Sequence, residues 1–311
     1  MRILATYIHP TLPIVRRVMA PFSVLNGNRG KPFHFAQQTY FQGLLSADTD
    51  ALLIQNSVLA PNEFDQYCEL LKEKAIIYDL TDVALVRVPM VQATLEKATA
   101  VIVPNRYLKK ELEGVTRRVK VLPSMVDMNY FKQGYTAPKP TKAIVGCFGP
   151  HDWHLVKEPI RIVKERWPNI TFWGDENATE TLGELIDERV SIDPDRYPYI
   201  IRSCAFGLCP VEGMTPIDTI WAHEYGILCR PVIASADSAY AEGGLKKHLA
   251  GVLVPSQDQK KWVEAIHDLA ITPKMRAMLG QNAFNMANEH RSTLITDQYI
   301  KAYREILPHC S

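Results

Sequence analysis

Two carboxylates define the chemistry open to this chain. Glu212 follows a short apolar run, Ala205 to Cys209, and Glu224 lies further on in a helix-patterned segment, ahead of a second apolar run, Pro231 to Ala234. Read in order, Cys204 to Ser235 is a strand, a turn, a helix and a strand. The expected helix start combines Thr215 as N-cap, Pro216 at the first helical position and Asp218 three residues after the cap to close a capping box. A strand that feeds a helix N-terminus beside a carboxylate suits a phosphorylated, hydroxylated ligand. Backbone N–H groups and the helix dipole favour the phosphate, and a carboxylate accepts hydrogen bonds from sugar hydroxyls. Gly213, Met214 and Thr215 form the turn that would meet such a ligand. The same stretch also fits an ordinary strand-helix-strand unit that binds nothing.

The rest of the chain bounds where such a site sits. At 311 residues and 47% hydrophobic content it can bury one large core or two smaller ones, and two domains of roughly 130 to 170 residues is the natural division. A net charge of +1 and a pI near 7.6 give no support for a broad basic surface of the kind that dominates nucleic-acid binding, while leaving room for a local basic groove. Six cysteines, at Cys68, Cys147, Cys204, Cys209, Cys229 and Cys310, form no C-x-x-C pair. They read as small buried hydrophobes of a reducing compartment, not as a disulfide framework or a zinc site. No run approaches the roughly 18 apolar residues of a membrane span, and the chain opens without a signal-peptide pattern. A soluble cytoplasmic protein is therefore expected.

Apolar runs alternate with helix-patterned segments along the chain. Arg2 to Ile8, Ala51 to Gln55 and Ala75 to Tyr78 read as buried strands, with an aromatic-rich, helix-like segment at Phe33 to Leu45 and an amphipathic helix at Asn62 to Lys74. This alternation predicts a parallel sheet with helices on both faces. Arg16, Arg17, Arg29, Lys31 and His34 occupy a stretch that is either a solvated loop or a lip facing an anionic acceptor. Asp82 follows the strand that ends at Tyr78, where ligands of open α/β sheets gather. It serves there as a general base toward an acceptor hydroxyl or as an N-cap. A strand at Ala100 to Pro104 and a helix at Arg106 to Glu113 come next, and the Pro- and Gly-containing stretch Gln133 to Thr141 reads as a linker. The second half begins with a strand at Ala143 to Phe148, a turn from Gly149 to His154 and a helix ending near Trp167. A strand at Ile170 to Trp173 and a helix at Glu180 to Val190 lead toward Cys204. Helices from Gln259 to His290 and from Thr293 to Leu307 close the chain.

These parts resemble the GT-B glycosyltransferases, in particular glycosyltransferase family four (group 1). Members carry an acid, a Gly-rich turn, a second acid on a helix and a Gly-x-Pro-Val-x-Ala-Ser strand. Glu212-Gly213 is similar to the first acid and its turn, Glu224 stands seven positions before Pro231 as the second acid does, and Pro231 to Ser235 is similar to the strand. Val121-Leu122-Pro123-Ser124-Met125-Val126-Asp127 and Phe131 resemble the family's Val-Ile-Pro-Asn-Gly-Val-Asp…Phe motif, with Ser124 and Met125 in place of Asn-Gly. The chain departs from the pattern twice. Eleven residues separate the acids instead of the usual seven, so either the loop is longer or Glu212 is not the true counterpart. Cys147 and Asp152 stand about where the family places the Arg and Lys that hold the diphosphate. Thr81-Asp82 also resembles, more weakly, a Thr-Asp pair of phage DNA-base glucosyltransferases.

The resemblance implies two Rossmann-like domains with parallel sheets facing across a cleft: an acceptor-side domain over residues 1-136, a nucleotide-sugar domain over 141-292, and a last helix over 293-311 crossing back to the first. It implies transfer of a sugar from a nucleotide-diphosphate sugar, a UDP-sugar most readily, to an acceptor hydroxyl, with retention of configuration, although Asp82 acting as base would suit inversion. Glu212 would contact the sugar and Glu224 the nucleotide ribose. Gly149, His151, His154, Lys157, Gly213, Met214 and Thr215 would surround the donor, and Asp82 would face the acceptor. The donor is a co-substrate, so no cofactor is expected, and no metal is called for. The acceptor would be a glycan, a small molecule or DNA. Two alternatives remain: a virus-type enzyme acting on a modified DNA base, and a catalytically silent GT-B protein that binds a nucleotide or glycan.

Overall fold

The computed structural model describes residues 2–6, 34–38, 50–56, 69, 75–132 and 143–307. Arg16, Arg17, Arg29, Lys31, the linker from Gln133 to Thr141 and, apart from Glu69, the helix expected at Asn62 to Lys74 lie outside them. The chain divides into two compact units. One contains Met1–Met125, Pro216–Asp218 and Ser292–Ser311, and the other contains Val126–Thr215 and Thr219–Arg291.

In the first unit, strands β1 (Arg2–Thr6), β2 (His34–Gln38), β3 (Ala51–Gln55), β4 (Ala75–Asp79), β5 (Ala100–Val103) and β6 (Val119–Val121) form a parallel sheet in the order β2-β1-β3-β4-β5-β6. Side chains of a strand alternate between faces, and the apolar residues here sort accordingly. Ala51, Leu53, Ile77, Ala100 and Ile102 pack with Ile295, Tyr299, Tyr303 and Ile306 of the C-terminal helix Ser292–Ile306. Leu52, Ile54, Tyr78, Val101 and Val103 share the opposite core with Val91 and Leu95 of α1 (Pro89–Lys97) and Leu108 of α2 (Arg106–Glu111). Burial on both faces explains why these strands read as unbroken apolar runs. The helix-like pattern at Phe33 to Leu45 is overturned at 34–38, which pair in register with β1 as a strand. Sheet pairing outweighs local propensity there.

The second unit opens on α3 (Met128–Lys132) and holds β7 (Ala143–Cys147), α4 (His154–Arg166), β8 (Ile170–Gly174), α5 (Glu176–Leu182), β9 (Glu188–Arg189), α6 (Tyr197–Ser203), β10 (Phe206–Cys209), α7 (Ile220–Ile227), β11 (Val232–Ser235), β12 (Gly251–Val254), α8 (Gln259–Ile271) and α9 (Pro273–Glu289). Its strands are all parallel, in the order β12-β11-β10-β7-β8-β9. The helix expected at Glu180 to Val190 is shorter and earlier. Gly183 adopts a left-handed φ of 58° and closes α5, after which Glu188–Arg189 joins the sheet beside β8. Among the described residues, no helix is long and apolar enough to cross a membrane.

Helix α7 is buried along its whole length. On one side the Tyr225 ring lies over Gly207 and Gly146, a directly paired couple on β10 and β7. A Cβ at Gly207 would come within 2.5 Å of the ring, and one at Gly146 within 2.0 Å of the hydroxyl. On the other side Gly226 faces the Ala283 carbonyl and Gly280 faces the Cys229 carbonyl, where a Cβ would meet oxygen at 2.4 and 2.2 Å. We predict that Gly207→Ala lowers stability by about 1–3 kcal/mol through overpacking, measured as a shifted urea midpoint. Tyr225→Leu in the same chain should recover part of that loss, and simple additivity of the two changes would refute the steric account.

Candidate functional site

The second sheet has the strand order of a dinucleotide-binding Rossmann sheet, which reverses between β7 and β10. Ligands of such sheets bind outside the carboxyl ends of the strands at that switch point. The loop after β7 (148–153) and the loop after β10 (210–215) leave from there, and short polar ties bind the strand ends together. Asp152 N–H donates to the Pro210 carbonyl at 2.9 Å, and its carboxylate accepts from Glu212 N–H at 2.8 Å. Gly149 N–H donates to Asp175, beyond β8, at 2.7 Å, and Val211 N–H donates to the Ser235 hydroxyl at the end of β11 at 2.9 Å. Burial raises the Asp175 carboxyl above its ordinary value, opposed by the N–H groups of Ala178 and Gly149. Helix α4 starts directly after the β7 loop, so the positive end of its dipole lies at the switch point; within its first turn Leu155 and Val156 N–H donate to the Asp152 and Trp153 carbonyls at 3.0 and 3.3 Å.

Gly149 has a φ of 94°, and a Cβ on it would lie 2.7 Å from the Trp221 ring. The glycine is required both by the turn and by the close approach of an aromatic from α7. His151 is buried: its Nε2 pairs with the Tyr240 hydroxyl at 2.8 Å, and its ring packs against Trp153 and Trp221. His154 is exposed at the start of α4. Lys157, also exposed, donates to the Thr181 carbonyl at 2.9 Å, in the last turn of α5. Cys147 ends β7 fully buried, and burial pushes its thiol well up. Of the cations expected near the diphosphate, His151 and Lys157 are engaged in structural contacts, His154 stands exposed, and Asp152 serves as a tie between loops.

Glu212 is exposed and accepts from Gln257 Nε2 at 3.1 Å. Gly213 follows with a φ of 58°, Met214 is exposed, and the Thr215 hydroxyl donates to the Glu212 carbonyl at 2.6 Å. This last bond corrects the expected helix start. The helix begins at Ile220 with Thr219 as its N-cap, and no capping box forms at Thr215. Pro216–Asp218 belong to the first unit instead: the Ser124 hydroxyl donates to Asp218 at 2.5 Å and Asn105 Nδ2 donates to the Ile217 carbonyl at 2.8 Å. Of the groups a capping box would have used, the Asp218 carboxylate is taken by Ser124 and the Thr215 hydroxyl donates to Glu212.

Glu224 lies within α7, only 2% exposed, and its Oε2 accepts from the Tyr197 hydroxyl at 2.7 Å. Sequence reasoning passed over Tyr197, Gln257, Trp221 and Tyr240. Each is brought in by a distant segment. In the first unit, exposed Asp82 caps a short 3-10 helix, Val83–Arg87, by accepting from Ala84 N–H at 2.8 Å. The preceding Thr81 is clasped by Asn56: Thr81 N–H donates to Oδ1 at 2.9 Å and Nδ2 donates to the Thr81 hydroxyl at 2.6 Å. Among the described residues, no group of three or more His, Cys, Asp or Glu is placed to hold a metal ion.

No protein-family model matches this chain, and no curated protein matches it in sequence. Solved structures do share its fold. Anabaena HepE in complex with UDP-glucose superposes with a TM-score of 0.68 at 12% identity, over 98% of this chain and 100% of that one. Sucrose-phosphate synthase from Thermosynechococcus elongatus gives 0.67 at 15% identity, over 99% of both chains. The N-terminal domain of Candida albicans trehalose-6-phosphate phosphatase gives 0.61 at 12% identity, over 99% and 97%. The fold is GT-B, built from two Rossmann-like units with parallel sheets.

The neighbour of Glu224 on α7 carries a pH dependence. His223 is buried, with Nδ1 donating to the Thr219 carbonyl at 3.1 Å and its ring 4.0 Å from that of His290. Burial, and then the neighbouring His290, lowers its pKa from 6.5 to about 3. The folded chain therefore keeps His223 neutral while the unfolded chain protonates it, and stability falls as pH drops below about 6.5, by up to about 1.4 kcal/mol per pH unit. We predict that His223→Gln flattens the decline in melting temperature between pH 7 and pH 5. An unchanged decline would show that other groups set it.

Proposed function

We propose that this chain is a glycosyltransferase that moves a sugar from a nucleoside diphosphate sugar, in the first instance a UDP-sugar, to an acceptor hydroxyl. The observation that carries the reading is the grouping at the switch point: the α4 N-terminus and Glu212 at the ends of β7 and β10, with Glu224 on the helix that follows. HepE, which shares the fold, was solved with UDP-glucose, and this supports a donor of that class.

In this reading the donor's diphosphate lies against the first turn of α4, whose dipole meets the charge that grows on the leaving group in an oxocarbenium-like transition state. The helix dipole takes the larger share of this work because Lys157 and His151 have partners elsewhere. Glu212, exposed and steadied by Gln257, accepts from hydroxyls of the sugar. Glu224 accepts from the ribose. Its burial means that a ribose reaching it is enclosed on binding, so donor affinity includes the cost of opening the site. Asp82, an exposed acid beyond the end of β4 in the first unit, is the group we assign to an acceptor hydroxyl. We take the transfer as retaining, in keeping with the family-four likeness. A second reading, a GT-B protein that binds its nucleotide without turning it over, is favoured by Cys147 and Asp152 standing where an Arg and a Lys would assist the leaving group.

The test is thermal unfolding with UDP, UDP-glucose, ADP and GDP, followed by assay of UDP release from UDP-glucose. A ligand held only by the native state adds about 2.7 kcal/mol at 100 times its Kd. UDP and UDP-glucose should raise the melting temperature, and Glu224→Gln should remove most of that rise. Slow UDP release is expected from the wild type. Stabilisation without release would favour the silent protein, and no response to any nucleotide in a folded sample would overturn both readings.

A further inference from the structure

Of the two acids, Glu224 is the buried one, and its carboxylate is held from outside its own helix. Tyr197, at the start of α6 and twenty-seven residues away in sequence, donates its hydroxyl to Glu224 Oε2 at 2.7 Å, and the pair is buried. The Tyr197 ring is itself held in place, edge-on to Phe131 at 6.2 Å and to Trp221 at 6.0 Å between ring centres. The helix beneath it is anchored at both ends. Tyr197 N–H donates to the Asp193 carbonyl at 2.9 Å, and Arg202, in the last turn of α6, donates to the Phe131 carbonyl at 2.5 Å. A carboxylate on a three-bond side chain has several rotamers. A rigid donor on one oxygen selects one of them and fixes the plane of the group, and with it the direction in which Oε1 points.

We propose that Tyr197 is a positioning residue for donor binding, acting through Glu224 to set the carboxylate that receives the ribose hydroxyls. The inference rests on the glycosyltransferase reading above. It adds a specificity determinant: the Tyr197–Glu224 pair makes the site distinguish a ribonucleotide from its 2′-deoxy counterpart. A buried tyrosine that merely satisfies a buried acid would contribute to stability and leave that preference untouched.

The experiment titrates UDP and 2′-deoxy-UDP by calorimetry into wild type, Tyr197→Phe, Glu224→Gln and the double variant, with thermal melts on each. Phenylalanine keeps the ring contacts with Phe131 and Trp221, so the fold should survive. Wild type should prefer UDP, and Tyr197→Phe should weaken UDP binding roughly tenfold, the scale of one hydrogen bond to a charged group, while 2′-deoxy-UDP changes little. In the Glu224→Gln background the same substitution should have less than about a twofold effect, since coupled residues are non-additive. Unchanged or tighter UDP binding by Tyr197→Phe, or an equal loss in the Glu224→Gln background, would overturn the proposal while leaving the proposed function standing. Failure of the wild type to bind UDP would overturn the reading on which the proposal rests.

Discussion

Helix α7 has almost no freedom in where it sits. An aromatic ring fills a slot made by two paired glycines on adjacent strands, and on the far side the helix backbone approaches α9 closely enough that Gly226 and Gly280 admit no side chain. Close-packed interiors tolerate little change in volume, so α7 cannot move toward the sheet or toward α9 without a clash. Glu224 neighbours Tyr225 on this helix, and Trp221, one turn earlier, touches the turn at Gly149. The candidate site therefore takes its geometry from a packing constraint.

A second level of organisation sits on the strand ends. Asp152, Asp175 and Ser235 each accept from a backbone N–H of a neighbouring loop, so the loops that leave β7 and β10 are cross-tied to the ends of β8 and β11. Buried backbone N–H groups need partners, and these side chains supply them where no strand continues. Asp152, placed where the family resemblance would put a phosphate-binding cation, has this structural task. In the proposed reading, a diphosphate at the switch point would meet the positive end of the α4 dipole, which the fold orients before any ligand arrives; such preorganised dipoles are effective in stabilising a developing charge.

Most of the order of strands and helices and the two-sided burial of the central strands were legible in the sequence. Parallel strands covered on both faces must be continuously apolar, and Pro231 to Ser235 beside Glu224 carried a recognisable spacing. The helix at Phe33 to Leu45 and the capping box at Thr215 were misread for one reason. Both inferences used local propensity, and both segments found stronger partners elsewhere, His34–Gln38 in the pairing with β1 and Pro216–Asp218 through Asn105 and Ser124.

What the sequence determined by itself was the class of structure and the residue types at the strand ends, because periodicity and turn chemistry act over a few residues. Only the tertiary structure decided what those residues do. Whether His151 meets a ligand or Tyr240, whether Lys157 faces the site or the end of α5, and which hydroxyl holds Glu224 depend on side chains brought together from 24 to 89 positions apart. Contacts at that separation leave no local pattern, since they are specified by how whole elements pack.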